Sequence, residues 1–387
     1  MRGAFAAGPV RVVAALGLAA VGACRDGAAP GGVAPPASAG TLRQHAKRAP
    51  AKHRPARDAA ATNEPAGATA WSSPEACEAV LARGAPARSA GTARIGSWNL
   101  RWFPDGGPGK HAKPGRETDL AWLSCTITLL GVDVLAVQEI KRYPAARERA
   151  ASLVAELDRR TGGAWKLETD SCPEEPVQHV GFLWNTLRAT ASSLRDVAAL
   201  NPHGGACDKG LRPGFAGVFR FRGGLDLHLV SVHLKSGGER RSHDLRQKSY
   251  AALSEVWRDA QAALADGDLA VLGDFNTMGC KKCSPDIEPS GELASLDQVL
   301  AALKPALRRV GSDQPCSEYY AGHGGLLDHV VVTTATKELA ADRAVDVAGY
   351  CSEAACGRLK QRDMPLAYQH LSDHCPVVLD FADRDED

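Results

Sequence analysis

Six stretches set residues able to do chemistry at the border of a short apolar run. Ile95-Gly96-Ser97-Trp98 leads to Asn99, and Val134–Val137 leads to Gln138-Glu139. Leu229–Val232 leads to His233, with Lys235 close behind. Leu269–Leu272 leads through Gly273 to Asp274, with Asn276 two residues on. Leu327-Asp328-His329 and Ser372-Asp373-His374 each precede a further apolar run. Side chains two apart leave the same face of an extended chain. Asp274 and Asn276 can therefore hold a water, a metal ion or a phosphate between them. Imidazoles move protons near neutral pH, and carboxylates hold hard cations. Each stretch has a plainer reading as well. Asp274 can cap its own backbone in an Asx turn, Glu139 can be a solvated strand end, His233 a satisfied core histidine, and Asp373 a turn residue. What separates the two accounts is whether the strand ends converge.

Positioning such groups needs strands. Arg94–Trp98, Asp133–Val137, residues 165–169, 180–184, 215–221 and 226–233, the run before Gly273, Asp328–Thr333 and Pro376–Phe381 all read as strands. Thr118 is placed to cap a helix that runs to Leu130 and stops at Gly131. Ala145–Arg160 carries Leu153, Val154 and Leu157 on one helical face and ends at Gly162-Gly163. Arg240–Ala265 reads as one long amphipathic helix. Many strands with few helices point to sheets packed on each other, helices outside. No internal repeat is evident.

Taken in order, SWNLRWF at 97–103, DVLAVQEI at 133–140, VSVHLKSG at 230–237, LGDFN at 272–276, LLDHVVV at 326–332 and SDHCPVV at 372–378 resemble the endonuclease/exonuclease/phosphatase superfamily, the DNase I-like fold. The resemblance spans about residues 94 to 381. GDFN and SDHCPV are its most specific pieces. It implies an α/β fold, a four-layered α/β sandwich of two packed, mainly antiparallel sheets flanked by helices, with the active site at one edge.

The same resemblance implies roles. Glu139 is the main ligand of a divalent ion, usually Mg²⁺ with Mn²⁺ or Ca²⁺ as alternatives, Asn99 its neighbour and Asp373 a further ligand. An oxygen-only set suits such a cation. Asp274 and Asn276 orient the attacking water and grip the phosphate. His374 accepts a proton or stabilises developing charge, with Asp328 fixing its tautomer. His233 donates to the leaving oxygen. Thr277-Met278 stands where the phosphoinositide 5-phosphatase branch usually has an Arg. His233 stands in a strand where the abasic-site repair branch has a Tyr. His233 thereby points to the DNase I-like or general phosphodiesterase side. No obvious apolar hairpin of the secreted-sphingomyelinase kind lies between the motifs.

The rest of the chain bounds the setting. Arg2 and Arg11, the ten-residue apolar run Val12–Val21 and the small residues before Cys24 read as an export signal, too short to span a membrane. Val21-Gly22-Ala23-Cys24 resembles a bacterial lipobox. This makes 1–24 a signal ending in a lipidated Cys24, ordinary cleavage after Ala23 being the alternative. The product is an outer-membrane or cell-surface lipoprotein, or a periplasmic or secreted protein. Residues 25–72 are rich in Ala, Pro and Gly and lack the apolar side chains for a core, so they form a tether. Residues 73–387 form the folded, monomeric domain. Eleven Cys less Cys24 leaves an even ten, which behind an export signal argues for disulfides. Cys280-Lys-Lys-Cys283 has no second CxxC to complete a zinc site and reads as a local bridge; the other pairings stay open.

The 46 Lys and Arg nearly balance 45 Asp and Glu, which excludes a whole-molecule pull towards nucleic acid. Local charge is another matter. Arg101, Lys110, Lys113 and Arg116 follow Asn99; Lys235, Arg240 and Arg241 follow His233; Lys281 and Lys282 follow Asn276. If these loops rim one cleft, Arg101, Lys235, Arg240 and Arg241 are the substrate contacts. The reading is an exported, metal-dependent phosphodiesterase, a nuclease of DNA or RNA with little sequence preference. The alternatives are a phosphomonoesterase or lipid-headgroup phosphodiesterase on the same fold, and a catalytically silent binding module.

Overall fold

A computed structural model describes residues 69–84, 88–108, 115–173, 178–207, 210–264 and 267–386. The signal, most of the tether, Cys24, Lys110 and Lys113 lie outside the described residues.

In chain order the elements begin with α1 (Pro74–Ala82), β1 (Thr92–Phe103), α2 (Leu120–Leu130), β2 (Val134–Ile140), α3 (Pro144–Thr161), β3 (Trp165–Thr169) and β4 (His179–Asn185). Then come β5 (Ala189–Val197), β6 (Gly214–Phe221), β7 (Asp226–His233), α4 (Arg240–Ala251), α5 (Leu253–Ala263), β8 (Leu269–Asp274), α6 (Pro289–Ala302) and β9 (Leu307–Arg309). The last are β10 (Glu318–Tyr320), β11 (His323–Gly325), β12 (Asp328–Thr333), β13 (Asp346–Val347), α7 (Tyr350–Glu353), α8 (Leu366–His370) and β14 (Val377–Ala382).

Two six-stranded sheets result, ordered β13-β14-β1-β2-β4-β3 and β5-β6-β7-β8-β12-β9, with β10-β11 as a separate hairpin. Each sheet is antiparallel except for one central parallel pair, β1–β2 in the first and β7–β8 in the second. A parallel pair needs a crossover; α2 supplies the first, α4 and α5 the second. The sheets pack face to face. Leu227 and Leu229 of β7, Ala270 and Leu272 of β8 and Val330 and Val332 of β12 share one core with Val134–Val137 of β2 and Phe182 of β4. The alternate residues Val230, Val232, Leu269 and Val271 pack under Tyr250, Leu253, Val256, Leu296 and Leu300 of α4, α5 and α6. Trp122 and Leu123 of α2 and Leu153 and Leu157 of α3 are buried with the first sheet. This is the α/β sandwich of two sheets between helical layers that the sequence led us to expect.

Local differences have physical reasons. Asp119 rather than Thr118 caps α2, its side chain accepting from the Trp122 N–H at 3.0 Å, while Gly131 ends the helix at φ 62°. The long helix is two, parted at Ala252, yet Leu245, Tyr250, Leu253, Val256 and Ala260 continue a single buried face. Strand β5 escaped the sequence reading because exposed and partly exposed polar residues interrupt its pattern. The described cysteines form five bridges: Cys77–Cys125, Cys172–Cys207, Cys280–Cys283, Cys316–Cys356 and Cys351–Cys375. No helix among the described residues is long and apolar enough to cross a membrane.

Candidate active site

The topology brings the strand ends together. Parallel partners end at the same edge of a sheet, so Asn99 pairs with Gln138 and His233 with Asp274. Strand β12 runs antiparallel to β8 and starts at that edge, Asp328 opposite Asp274. Strand β14 runs antiparallel to β1, Ser97 opposite Val377, so the preceding Asp373-His374 turn falls there too. His233, Asp274 and Asp328 have the parity of the inter-sheet core. The site is the end of that core, where apolar side chains give way to polar ones.

Glu139 breaks the alternation. Gln138 faces the other sheet, its Nε2 donating at 3.2 Å to Ser97 Oγ of the neighbouring β1 and at 3.2 Å to Ser231 Oγ of β7 across the seam. Regular pleating would send Glu139 the opposite way. Instead Glu139 is left-handed, at φ 63°, and the register with β1 and β4 shifts around it. Such a bulge re-aims a side chain. The Glu139 carboxylate accepts from the Trp102 N–H at 2.9 Å and from Asn99 Nδ2 at 3.3 Å.

Asp274 is the hub. Its Oδ2 accepts from Asn99 Nδ2 at 3.1 Å and lies 3.4 Å from His233 Nε2 and 3.7 Å from His374 Nε2. Its Oδ1 accepts from the Asn276 N–H at 2.9 Å, with Asn276 left-handed at φ 53°. Behind His374, Nδ1 meets Asp328 Oδ2 at 2.9 Å, and Ser317 Oγ donates to the same oxygen at 2.7 Å. This fixes His374 with Nε2 towards the cleft. His233 Nε2 also lies 3.8 Å from Glu139 Oε1.

Charge follows geometry. Burial raises the pKa of Glu139, and the nearby Asp373 raises it further. Burial pushes Asp274 up to about 7 against the pull of His374, with Asp328 and Glu139 adding to the rise. Burial alone would depress His374, but Asp328 and Asp274 outweigh it and hold the imidazole well above its usual value. Burial, then the charges of Arg212 and His374, hold His233 well below its usual value. Glu139 thus carries a negative charge that its surroundings disfavour, with the Asp373 carboxylate close by. A hard divalent cation held by one or two carboxylates plus waters fits that donor set. Among the described residues, no three His, Cys, Asp or Glu side chains form a ready-made cage.

Of the expected contacts, Arg101 is placed differently. It is only 5% exposed, and its guanidinium donates to the carbonyls of Tyr368, Gln369 and Arg116. Left-handed Arg101 and Trp102, at φ 42° and 51°, turn the strand and carry this side chain inward. Lys235, Arg240 and Arg241 stay at the surface, and Lys235 and Arg241 line a cavity of about 370 Å³ with Glu239 and Ser242. The Lys281 N–H donates to Gly238 O at 3.0 Å, which draws the two basic loops together.

Two residues escaped sequence reasoning. Arg212 donates to the carbonyls of His233 at 3.1 Å and Leu234 at 3.3 Å, and its charge reaches Glu139 and Asp274. Glu318 pairs by backbone with His374, and burial pushes its carboxyl up to about 8. Neither borders a long apolar run, the one signal that marked the others.

The Endonuclease/Exonuclease/phosphatase family model matches residues 96–374, Gly96 through His374. The chain belongs to that family. Members of the Endonuclease/Exonuclease/phosphatase family are phosphoric ester hydrolases that generally use divalent metals. A search of curated proteins gave no match. Similar solved structures include the endonuclease/exonuclease/phosphatase from Bacteroides vulgatus, at 12% identity over 75% of this chain and 98% of that one, TM-score 0.49. TDP2 of D. rerio complexed with single strand DNA product is similar at 16% identity, covering 75% and 98%, TM-score 0.48. The human Nocturnin catalytic domain with bound sulfate anion is similar at 15%, covering 76% and 96%, TM-score 0.46.

Proposed function

We propose that this protein is an exported, Mg²⁺-dependent phosphodiesterase, a nuclease of DNA or RNA with little sequence preference. The observation that carries the reading is the meeting of Asn99, Glu139, His233, Asp274, Asp328 and His374 at one end of the sandwich. Glu139 and Asp373, with Asn99 beside them, would hold the cation. When bound, it neutralises charge on the phosphate and polarises the P–O bond. Asp274 takes up the attacking water, since a carboxyl raised towards neutrality is a competent base. Asn276, fixed to Asp274 through its backbone, keeps that carboxylate aimed. His374, with Asp328 behind it, carries positive charge to the phosphate oxygens. His233 faces Asp274 and Glu139 and serves proton transfer at the leaving oxygen. Removing any one of these would cost at least roughly a hundredfold in kcat.

Nucleic acid is favoured over a small ester because Lys235, Arg240, Arg241, Lys281 and Lys282 gather beside His233 on joined loops. A polyanion contacts several at once and loses affinity steeply with salt. Five disulfides support a place outside the cytosol, with lipid on Cys24 as the anchor. The test is a panel of plasmid DNA, RNA, sphingomyelin and a chromogenic diester, each with EDTA or Mg²⁺. Cleavage of DNA or RNA that EDTA abolishes and Mg²⁺ restores is the expected result. Hydrolysis of only the small diester or the lipid would overturn the nuclease reading.

A further inference from the structure

Among the described residues the large hydrophobic side chains left in solvent are Leu187, Tyr320 and Leu366, and Tyr320 is the most exposed at 73%. Single exposed apolar residues are ordinary; the place of this one is not. Tyr320 closes β10 and stands opposite His323 of β11. The base of that hairpin is built into the catalytic centre. Glu318 bridges His374, the Tyr319 N–H donates to Asp373 O at 3.0 Å, and Ser317 holds Asp328.

Strand alternation sorts the side chains. Tyr319 points inward, buried, its hydroxyl donating to Gly357 O at 2.8 Å. Glu318 and Tyr320 share the other face. Antiparallel partners put their side chains on one face, and Glu318 is bridged to His374, whose ring faces Asp274 and Asp328, so that face is the face of the cleft. Two residues of extended chain carry Tyr320 about 7 Å outward from Glu318. Across from Glu318 and Tyr319, β11 presents only Gly325 and Gly324.

The hairpin is also fixed. The Leu359 N–H donates to Gly322 O at 2.9 Å, and a Cβ at Gly322 would lie 2.0 Å from Leu359 O. The Cys316–Cys356 bridge ties down its base. A tyrosine side chain on a fixed backbone has only two rotatable bonds and loses little freedom when a flat partner covers it.

Resting on the nucleic-acid reading above, we infer that Tyr320 is a stacking platform for a nucleobase beside the scissile phosphate, and that the substrate presents an unpaired base, as a single strand or a frayed end does. A base inside a duplex has both faces covered by its neighbours; an unstacked base offers one to a side chain. A choline headgroup or a phosphomonoester of an aliphatic alcohol has no such face.

The test takes the full chain on a single-stranded oligonucleotide and on the same sequence closed in a duplex. Steady-state constants are measured with Mg²⁺, and binding without turnover is followed in EDTA through 2-aminopurine fluorescence. Tyr320→Ala is expected to raise KM on the single strand about tenfold or more while kcat changes less than about threefold. It should also abolish the quenching of 2-aminopurine. Tyr320→Leu shows the same loss, Tyr320→Phe retains wild-type behaviour, and Leu187→Ala, on the turn between β4 and β5, changes neither readout. A wild-type KM and quenching in Tyr320→Ala overturn the platform. So do equal losses on single strand and duplex, or a wild-type preference for the duplex. If the wild-type chain cleaves neither DNA nor RNA, the underlying reading fails instead.

Discussion

Glu139 shows how much a single residue does here. It carries the charge expected to hold the cation, sits at a left-handed position, and borders the crowded Asp373. Glu139→Gln keeps the shape and the acceptor for the Trp102 N–H but loses the charge. Its kcat/KM with Mg²⁺ is expected to fall at least roughly a hundredfold, and titration calorimetry should show weakened Mg²⁺ binding. In EDTA its unfolding temperature should equal or exceed that of the wild type, because a disfavoured buried charge has gone. His228 makes a different point. It lies in β7 on the helix-facing side, fully buried, and neither ring nitrogen has a hydrogen-bond partner. Burial, then the charge of Arg195, depresses it to about 4, so it is neutral in the fold. An unfolded chain takes up the proton near pH 6.5. His228 therefore leaves stability intact above about 6.5 and removes it as pH falls towards 4, by up to roughly 3 kcal/mol. His228→Leu should unfold at a higher temperature than the wild type at pH 5, with the gap closing at pH 7.5.

At the scale of elements, the parallel pair β7–β8 carries both His233 and Asp274, and Gly273 sets its spacing. Gly273 has φ 147°, and a Cβ there would lie 2.0 Å from Val232 O. A backbone oxygen cannot swing aside, so Gly273→Ala must part the strands or fail to fold. We expect an unfolding temperature lower by many degrees and kcat reduced with it. Gly84→Ala, at φ 104° with nothing within 4 Å, should cost only about 1–2 kcal/mol of backbone strain. The sequence made the strand ends legible because each joins an apolar run to a polar stop. Thus Asn99, Glu139, His233, Asp274, Asp328 and His374 all stand out as strand-border residues in the sequence, without any strand pairing. What stayed hidden depends on the backbone leaving its regular course, or on chain segments far apart. The left-handed turn that sends Arg101 inward has no signature in NLRWF. Arg212 and Glu318 reach the site from a loop and a short hairpin whose neighbours are set by tertiary packing. Helix α6 was passed over because Pro289, Gly291 and the polar residues around them dilute its apolar stripe.

At the scale of the molecule, the disulfides divide into kinds. Cys77–Cys125, Cys172–Cys207, Cys316–Cys356 and Cys351–Cys375 close loops with separations of 48, 35, 40 and 24 residues. Cys280–Cys283 spans only 3. Loop closure makes the long bridges worth about 2–4 kcal/mol each and the short one least. Mass spectrometry without reductant should find these ten cysteines unalkylated. Replacing Cys172 and Cys207 by Ser should lower the unfolding temperature more than replacing Cys280 and Cys283. The two sheets bring different goods to the cleft: the first gives Asn99 and Glu139, the second His233, Asp274 and Asp328. Ser97, Gln138 and Ser231 join the sheets just beneath, inside an otherwise apolar seam. Greasy surfaces can slide past one another by a fraction of an ångström at little cost, because contact between them has no direction; a hydrogen bond has one. Gln138 therefore acts as a dowel between two plates. Each plate can be sound by itself, and the two halves of the site still meet only while the dowel keeps them in line.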